Sequence, residues 1–341
     1  MTDWSPPVLV LTGSYTKMGE THGEACRDAI NDLIDDRLEL LLGDSGALTV
    51  AELREICCNL LQCVCSSSDN LRDELYGTAR GANLEAWRLI VAGAYTDVLD
   101  VIRQPSSIQA SECTVAMDST KGCIAGTWDS HASAVNALVV VDRRPTNGPR
   151  TLALSTAGWP AQYGVNDSGL GFAITNLTPR TASRHGLVYI AAVARAAESP
   201  STRSFEEFAM RTKFASGHAY LILDQSGDAV VCETSCTGVD MRSVHGLHVQ
   251  ANHYIGALDD NGMYTHIAGS HDRVNEMERG WPVISSPQAF SRWLATTSCV
   301  NRTMADGPAV TCAWFYIIPK EGLLWYRARG STTSEFTRAS L

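Results

Sequence analysis

A cysteine at the start of a predicted strand is the residue of this sequence with the clearest capacity for chemistry. Cys113 lies in the stretch Ser111-Glu112-Cys113-Thr114-Val115, and a carboxylate follows at Asp129, in Gly126-Thr127-Trp128-Asp129. A thiol with a neighbouring hydroxyl and a carboxylate is a plausible nucleophile for acyl chemistry. Cys113 could instead be a core thiol, because free cysteine is among the most buried residue types.

A nucleophile in this position does not need a histidine as its base. If the peptide bond before Cys113 is cut, the new α-amine lies on the same residue. The ordinary pKa of an α-amine, about 7.7–8.0, suits a general base near neutral pH. Donors for the oxyanion must then come from other strands, as polar side chains or backbone N–H groups.

The elements that must position these groups change in type near Cys113. The first part of the sequence predicts an apolar strand at 8–11 and then helices, the first running through 30–41 and the others at 50–65 (capped by Thr49), 70–80 and 84–102. The remainder predicts two helices, at 187–197 and 204–213 (capped by Ser204), among strands at 113–117, 122–128, 137–142, 151–155, 163–174, 219–224, 229–234, 310–318 and 323–328. This order is typical of a layered α+β domain and not of a doubly wound sheet.

Composition and charge exclude several classes of function. The formal net charge of −10 argues against nucleic acid or an anionic membrane as a partner. The sequence begins without the basic and apolar segments of a signal peptide, so we expect a cytoplasmic protein whose 11 cysteines are reduced. The cysteines and histidines form no paired zinc pattern, and no phosphate-binding or dinucleotide fingerprint is present. The sequence therefore predicts no metal and no cofactor.

Short motifs spread along the chain resemble one known group of enzymes. In chain order they are Gly13, Met18-Gly19-x3-His22-Gly23, Cys113-Thr114-Val115, Gly126-Thr127-Trp128-Asp129, Gly164-Val165-Asn166-x2-Gly169-Leu170-Gly171, Ser216-Gly217-His218-Ala219, Val231-x-Glu233, Ala251-Asn252-His253-Tyr254, Ser270-x2-Arg273 and Arg329-Gly330-x5-Phe336. In this ordered set the chain resembles the acyl-coenzyme A:6-aminopenicillanic acid acyltransferase family (penicillin acyltransferase-like) of N-terminal nucleophile hydrolases.

That resemblance implies a fold and a maturation step. The fold is a four-layer αββα sandwich of two antiparallel sheets. Maturation is self-cleavage between Glu112 and Cys113, in which the thiol attacks the Glu112 carbonyl, the acyl group shifts to sulfur, and water hydrolyses the thioester. The products are an N-terminal chain, 1–112, and a chain carrying the nucleophile, 113–341, which associate as one domain.

Residue roles follow from the resemblance by position. Cys113 is the nucleophile and its freed amine is the base, Asn252 is the oxyanion donor, and Asp129 orients the amine or the substrate. Further residues expected to bind substrate or support the site are Thr114, Trp128, Asn166, Glu233 and His253. We expect Trp128 to be a core residue and Glu233 and His253 to be structural. A turn position remains the alternative for Asn252 and for Asp129.

The resemblance implies an enzyme that cleaves an amide, or transfers an acyl group to an amine, through a thioester on Cys113. It implies a small substrate, amino-acid-derived or a secondary metabolite, and an acyl-CoA or carrier-protein-bound acyl group is a candidate donor. Two alternatives stay open. Glu112 stands where the family commonly has glycine, which favours an unprocessed, silent member that acts as a binding protein. A papain-type hydrolase would instead pair Cys113 with His253.

Overall fold

The structure is a computed structural model that describes residues 4–43, 48–102, 113–258, 269–297, 300–303, 309–331 and 334–341. Its α-helices are α1 Tyr15–Ala25, α2 Arg27–Gly43, α3 Val50–Ser67, α4 Asp69–Ala82, α5 Trp87–Gly93, α6 Tyr95–Ile102, α7 Tyr189–Glu198, α8 Thr202–Ala209, α9 Ser270–Gly280 and α10 Pro287–Leu294. Its strands are β1 Val8–Gly13, β2 Cys113–Asp118, β3 Cys123–His131, β4 Leu138–Pro145, β5 Thr151–Thr156, β6 Tyr163–Asn166, β7 Leu170–Asn176, β8 His218–Asp224, β9 Ala229–Ser235, β10 Gly238–Ser243, β11 Leu247–Gln250, β12 Ala309–Ile318, β13 Leu323–Ala328 and β14 Thr337–Ser340.

The strands form two sheets that pack face to face. One sheet has eight strands in the order β1-β4-β5-β6-β7-β8-β9-β10, and the other has six in the order β11-β2-β3-β12-β13-β14. Strands β5 to β7 of the larger sheet contact β2, β3, β12 and β13 of the smaller one. Helices α7 and α8 cover the outer face of the larger sheet, and α9 lies on the smaller one. The predicted αββα sandwich is confirmed. Among the described strand pairs, β1 with β4 is the parallel one, and the others are antiparallel.

Strand β2 is buried on both faces because each face packs against a different layer. Alternate side chains of a strand point to opposite faces. Cys113, Val115 and Met117 accordingly lie in the large core between the sheets, whereas Ala116 lies in a second core beneath α9 and α10. The strand therefore directs the Cys113 side chain inward and leaves Thr114 on the side of α9.

The sequence predicts most of these elements, but it does not predict β10, β11, α9, α10 or β14. Thr49 caps α3 through a capping box with Glu52, as the spacing predicts. The predicted first helix, through 30–41, is α2, and a separate helix, α1, precedes it; the predicted helix at 84–102 begins at Trp87 and is divided at Ala94. Ser204 was the wrong cap for α8. Ser201 is the cap, because its side-chain oxygen accepts a hydrogen bond from the Ser204 N–H at 3.2 Å.

Two glycine pairs, Gly19 with Gly77 and Gly23 with Gly81, let helices α1 and α4 cross with their backbones in contact. A Cβ on Gly19 would lie 2.0 Å from the carbonyl oxygen of Glu74, and a Cβ on Gly77 would lie 2.4 Å from that of Thr16. Neither distance is sterically allowed, so both positions require glycine. This packing gives a physical reason for the glycines of the Met18-Gly19-x3-His22-Gly23 motif.

A buried ion pair joins α4 to β4 beside this crossing. The Arg143 guanidinium donates to both carboxylate oxygens of Glu74, and side chains of both residues are 1% exposed. Glu198 of α7 adds a second carboxylate at 3.3 Å. Removing one partner of such a pair is strongly destabilising because it leaves a buried charge without compensation. The pair therefore ties the N-terminal helices to the rest of the fold.

The fold should lose stability in mild acid because it buries neutral histidine. The Nε2 atom of His22 accepts the N–H of Gly158 at 3.0 Å, and burial lowers the pKa of His22 from 6.5 to about 4. The contribution of neutral His22 to the free energy of unfolding is fully present above pH 6.5 and decreases as the pH falls towards 4. Over that range the unfolded chain binds a proton at His22 and the folded protein does not. His22 alone should lower the free energy of unfolding by about 2 kcal/mol between pH 7 and pH 5.

Chemical denaturation at the two pH values measures this difference. We expect His22→Gln, which keeps an acceptor for the Gly158 N–H, to lose about 2 kcal/mol less than the wild type on acidification. His245→Gln, at an exposed position, is the control and should keep the wild-type dependence. An equal loss in His22→Gln and the wild type would show that His22 does not contribute.

Candidate active site

Cys113 is the first residue of β2 and lies buried between the two sheets. Its Sγ atom is 3.5 Å from the hydroxyl of Tyr163, a residue of β6 in the facing sheet. Burial, followed by the negative charge of Asp129, raises the pKa of the Cys113 thiol to about 12. At neutral pH the thiol is therefore protonated, and any nucleophilic role requires a base to remove the proton.

Asn252 holds the backbone nitrogen of Cys113. It follows β11, the strand that pairs with β2, and its side chain is buried. The Oδ1 atom accepts the Cys113 N–H at 3.0 Å and a guanidinium N–H of Arg273. The Nδ2 atom donates to the carbonyl oxygen of Asn176 at 2.8 Å. Two donors on one atom and an acceptor on the other fix the orientation of the amide.

Arg273 links α9 to this pair. Its guanidinium is buried, and its Nε donates to the Thr114 hydroxyl at 3.1 Å while another N–H donates to Asn252. Ser270, one turn earlier on α9, accepts the Asn252 backbone N–H at 2.9 Å. The Arg273 guanidinium and the Cys113 backbone N–H thus donate to the same atom, Asn252 Oδ1, so a fixed positive charge lies close to the nucleophile's nitrogen. Thr114, which is expected from the sequence to support the site, is one of the hydrogen-bond partners of Arg273.

Asp129 lies within β3 and not in a turn, so the turn alternative for this residue is wrong. One carboxylate oxygen accepts the hydroxyl of Thr311, on the neighbouring strand β12, at 2.6 Å. Asp129 is fully buried and raises the pKa of the Cys113 thiol. The negative charge of Asp129 therefore acts on the Cys113 side chain, and its role in orienting the α-amine stays a prediction.

A small cavity of about 20 Å³ lies at the Cys113 side chain. Trp128, directly opposite Cys113 on β3, forms part of its wall and packs its ring 5.4 Å from that of Tyr163. Tyr163 in turn stacks on Phe315. Trp128 is therefore both a core residue, as expected, and part of the wall around the thiol.

Two of the predicted supporting residues, Asn166 and Glu233, form hydrogen bonds away from Cys113. Asn166 closes the β6–β7 turn by accepting the N–H groups of Ser168 and Leu170, and it donates to two carbonyls at the end of α7. Glu233 accepts the N–H groups of Ile255 and Gly256. These contacts shape the turns, and none of those described for Asn166 or Glu233 includes Cys113.

His253 points into a different neighbourhood from the thiol. Its Nδ1 atom is 2.7 Å from the Ser270 hydroxyl, and its ring stacks on His271. Burial, and then the positive charge of neighbouring His271 and Arg273, lowers the pKa of His253 to about 4. None of the described contacts of His253 includes Cys113, which disfavours a papain-type pair.

The predicted cleavage site is only half described. Cys113 opens β2, whereas Glu112 lies outside the described residues. Within the described part of the chain no cluster of three or more potential metal ligands occurs. No described helix has the length and apolar character needed to cross a membrane.

Sequence reasoning assigned no role to Tyr163, Arg273 or Thr311. Arg273 did stand in a recognised motif, Ser270-x2-Arg273, so its position carried a signal although its partners did not. Tyr163 and Thr311 reach the site from strands 50 and 182 residues away from the atoms they contact. Local sequence patterns do not predict contacts between residues so far apart in the chain.

Solved structures similar to this chain include the following three, each with a TM-score below 0.5. A mutant conjugated bile acid hydrolase from Clostridium perfringens has 13% identity and a TM-score of 0.47, covering 67% of this chain and 92% of that one. Penicillin V acylase from Agrobacterium tumefaciens has 13% identity and a TM-score of 0.43, covering 67% and 86%. The Caenorhabditis elegans ortholog of N-acylethanolamine-hydrolyzing acid amidase has 12% identity and a TM-score of 0.42, covering 61% and 93%. No curated protein matches the chain.

The family assignment comes from sequence. The model of the family described as acyl-coenzyme A:6-aminopenicillanic acid acyl-transferase matches residues 115–309, more than half of the chain. The matched region contains Asp129, Asn252 and Arg273 and begins two residues after Cys113. The chain therefore belongs to the acyl-coenzyme A:6-aminopenicillanic acid acyl-transferase family and is an enzyme.

Proposed function

We propose that this enzyme uses Cys113 as an N-terminal nucleophile to cleave an amide, or to transfer an acyl group to an amine, after self-cleavage between Glu112 and Cys113. The observation that carries the proposal is the hydrogen bond from the Cys113 backbone nitrogen to buried Asn252 at 3.0 Å. A nitrogen held in this way is already in place to act as a base once it becomes a free amine. The substrate we propose is a small, amino-acid-derived compound or secondary metabolite.

Self-cleavage proceeds by an acyl shift followed by hydrolysis. The Cys113 sulfur attacks the Glu112 carbonyl carbon, the C–N bond breaks, and the thiol proton is transferred to the departing nitrogen. Water then cleaves the thioester and leaves a carboxylate on Glu112 and an ammonium group on Cys113. One carbonyl is transferred from nitrogen to sulfur and then to water, so no cofactor is required for balance.

Turnover repeats the same steps on a substrate. The α-amine of Cys113 takes the thiol proton, and the sulfur attacks the substrate carbonyl. The amine then returns the proton to the leaving nitrogen, and a thioester forms on Cys113. Asn252 is the proposed donor to the oxyanion, with Arg273 holding its amide and Asp129 orienting the amine. Water resolves the thioester in hydrolysis, and an acceptor amine resolves it in acyl transfer, with an acyl-CoA or carrier-bound acyl group as a candidate donor.

Intact mass under denaturing conditions tests the proposal. We expect wild-type protein to give two chains of about 12 and 25 kDa, from 36.8 kDa divided in the ratio of 112 to 229 residues, with Cys113 leading the larger. Cys123→Ala is a matched control, since Cys123 is also a buried free thiol at the start of a strand, and it should be cleaved like the wild type. A single 36.8 kDa species in the wild type would contradict self-cleavage and favour an unprocessed binding protein.

A further inference from the structure

A buried arginine outside the proposed catalytic group lines the cavity at Cys113. Arg37 belongs to α2 and lies on its buried face, among Ile30, Leu33, Ile34 and Leu41. The residue is only 5% exposed, and it lines the same cavity as Cys113. Apolar spacing predicts a hydrophobic side chain at this position of the helix. A cation there calls for an explanation beyond helix packing.

Arg37 forms no ion pair with a carboxylate among the described residues, and the acidic group that acts on its charge is exposed Asp36, its neighbour in the chain. Arg143, another buried arginine, has the Glu74 carboxylate, and Arg273 donates to Asn252 and Thr114. For Arg37, no hydrogen bond or ion pair occurs with any residue that the structure describes, and its guanidinium carbon lies 5.4 Å from the centre of the Tyr95 ring. Burial lowers the pKa of Arg37, but an arginine side chain remains charged in proteins. Burying a guanidinium without a partner is costly.

We propose that Arg37 binds a carboxylate on the amide substrate whose carbonyl Cys113 attacks. This inference rests on the proposed role of the thiol. The planar fork of a guanidinium matches a carboxylate through two parallel hydrogen bonds. The cavity, about 20 Å³, has room for about one water-sized group, so it can take the charged end of a substrate but not the whole substrate. Tyr95, Trp128 and Tyr189 form aromatic walls there, and a pair shielded from water is held more strongly.

The proposal fixes where the substrate's charge must be. Cys113 and Arg37 line the same small cavity, so the carboxylate must lie close to the carbonyl that Cys113 attacks. A neutral amide of equal size would leave the arginine without a partner and would be disfavoured for that reason. The site would therefore select amides that carry a carboxylate a few bonds from the carbonyl. Selection by an unsatisfied polar group is generally stronger than selection by apolar fit.

Alkylation of Cys113 by iodoacetate and by iodoacetamide tests this charge directly. In each reaction the sulfur bonds to the CH2 carbon, iodide leaves, and the thiol proton is released to solvent. The two reagents have almost the same size and differ in carrying a carboxylate or a neutral amide. The rate at each cysteine is measured by mass spectrometry of its peptide at pH 7, and exposed Cys58 on α3 is the internal reference. Neither measurement requires a known substrate.

Replacing the guanidinium should remove the preference for the anion at one cysteine only. We expect Arg37→Met to lower the ratio of the iodoacetate rate to the iodoacetamide rate at Cys113 by roughly 10- to 100-fold, the effect of losing a charged hydrogen bond. The ratio at Cys58 should stay constant. Arg37→Lys should fall between the wild type and Arg37→Met, because it keeps the charge and loses the fork.

Stability separates a binding role from a structural one. The melting temperature of Arg37→Met should equal or exceed that of the wild type, since an apolar side chain replaces a buried charge without a partner. An unchanged rate ratio at Cys113, or a Cys113 that reacts with neither reagent, would overturn the proposal. A wild-type chain that stays uncleaved would instead contradict the proposed function and leave the alkylation ratio intact, so the two failures can be told apart.

Discussion

Replacing Cys113 with alanine should leave the protein as a single 36.8 kDa chain and abolish amide turnover. The variant keeps the strand, the Asn252 contact and the aromatic wall, but it has no sulfur to attack either the Glu112 carbonyl or a substrate. Removal of a nucleophile that acts as part of a unit costs on the order of 10⁶ in kcat. Mass spectrometry reports the first effect, and release of p-nitroaniline from N-acyl-p-nitroanilides whose acyl chains, of varied length, carry a terminal carboxylate reports the second.

Two companion variants show whether the loss belongs to the nucleophile. Cys123→Ala changes a thiol of similar burial and should retain cleavage and turnover. Cys113→Ser keeps a weaker nucleophile and an α-amine, so it should cleave itself slowly and react through an ester. Hydroxylamine should trap a thioester on the wild type as a hydroxamate. Turnover by Cys113→Ala comparable to that of the wild type would rule out the thioester route.

Asn252→Leu should lower turnover by about 10²–10³, the typical cost of removing an oxyanion donor. The variant also deprives the Cys113 nitrogen and Arg273 of their shared acceptor. We expect slow or absent self-cleavage for the same reason, because the first tetrahedral oxyanion forms at the same site. Initial rates and the fraction of cleaved chain after a fixed time measure the two losses.

Asn252→Asp separates the two roles open to this side chain. Aspartate keeps oxygen acceptors for Cys113 and Arg273 but has no N–H to donate, and it adds negative charge where the oxyanion would form. If Asn252 donates to the oxyanion, the aspartate variant should be as slow as the leucine variant. Near-normal rates in the aspartate variant would contradict that role and leave Asn252 as the group that holds the nucleophile's amine.

The sequence was most informative where function depends on residues close together in the chain. Cys113 and its strand, the hairpin to Asp129, and the helix cap at Thr49 follow local patterns of apolar spacing and turn chemistry. The resemblance added Asn252, which the structure places at the backbone of Cys113 although it lies 139 residues further along. Its assigned role as oxyanion donor stays a prediction.

The rest of the site could not be predicted because its contacts depend on how the layers stack. Arg37 stands on an apolar helix face, where spacing favours a hydrophobic residue, and only the packing of α2 brings it to the cavity at Cys113. Arg273 meets Thr114 across 159 residues, from a helix that lies on the other side of β2. Tertiary packing, and not local preference, decides such contacts.

The parallel pairing of β1 with β4 has a consequence for making the protein in parts. Residues 8–13 precede the proposed cut, yet they form the outermost strand of a sheet whose other strands all follow it. The larger fragment made alone would present the bare backbone of β4 as an open edge, which is a template for aggregation. The smaller fragment is thus a complementing strand as well as a helical cover. The two fragments produced separately would therefore behave as a split enzyme. Adding the first fragment should cover the exposed edge of β4, restore the solubility of the second fragment and bury Cys113 again.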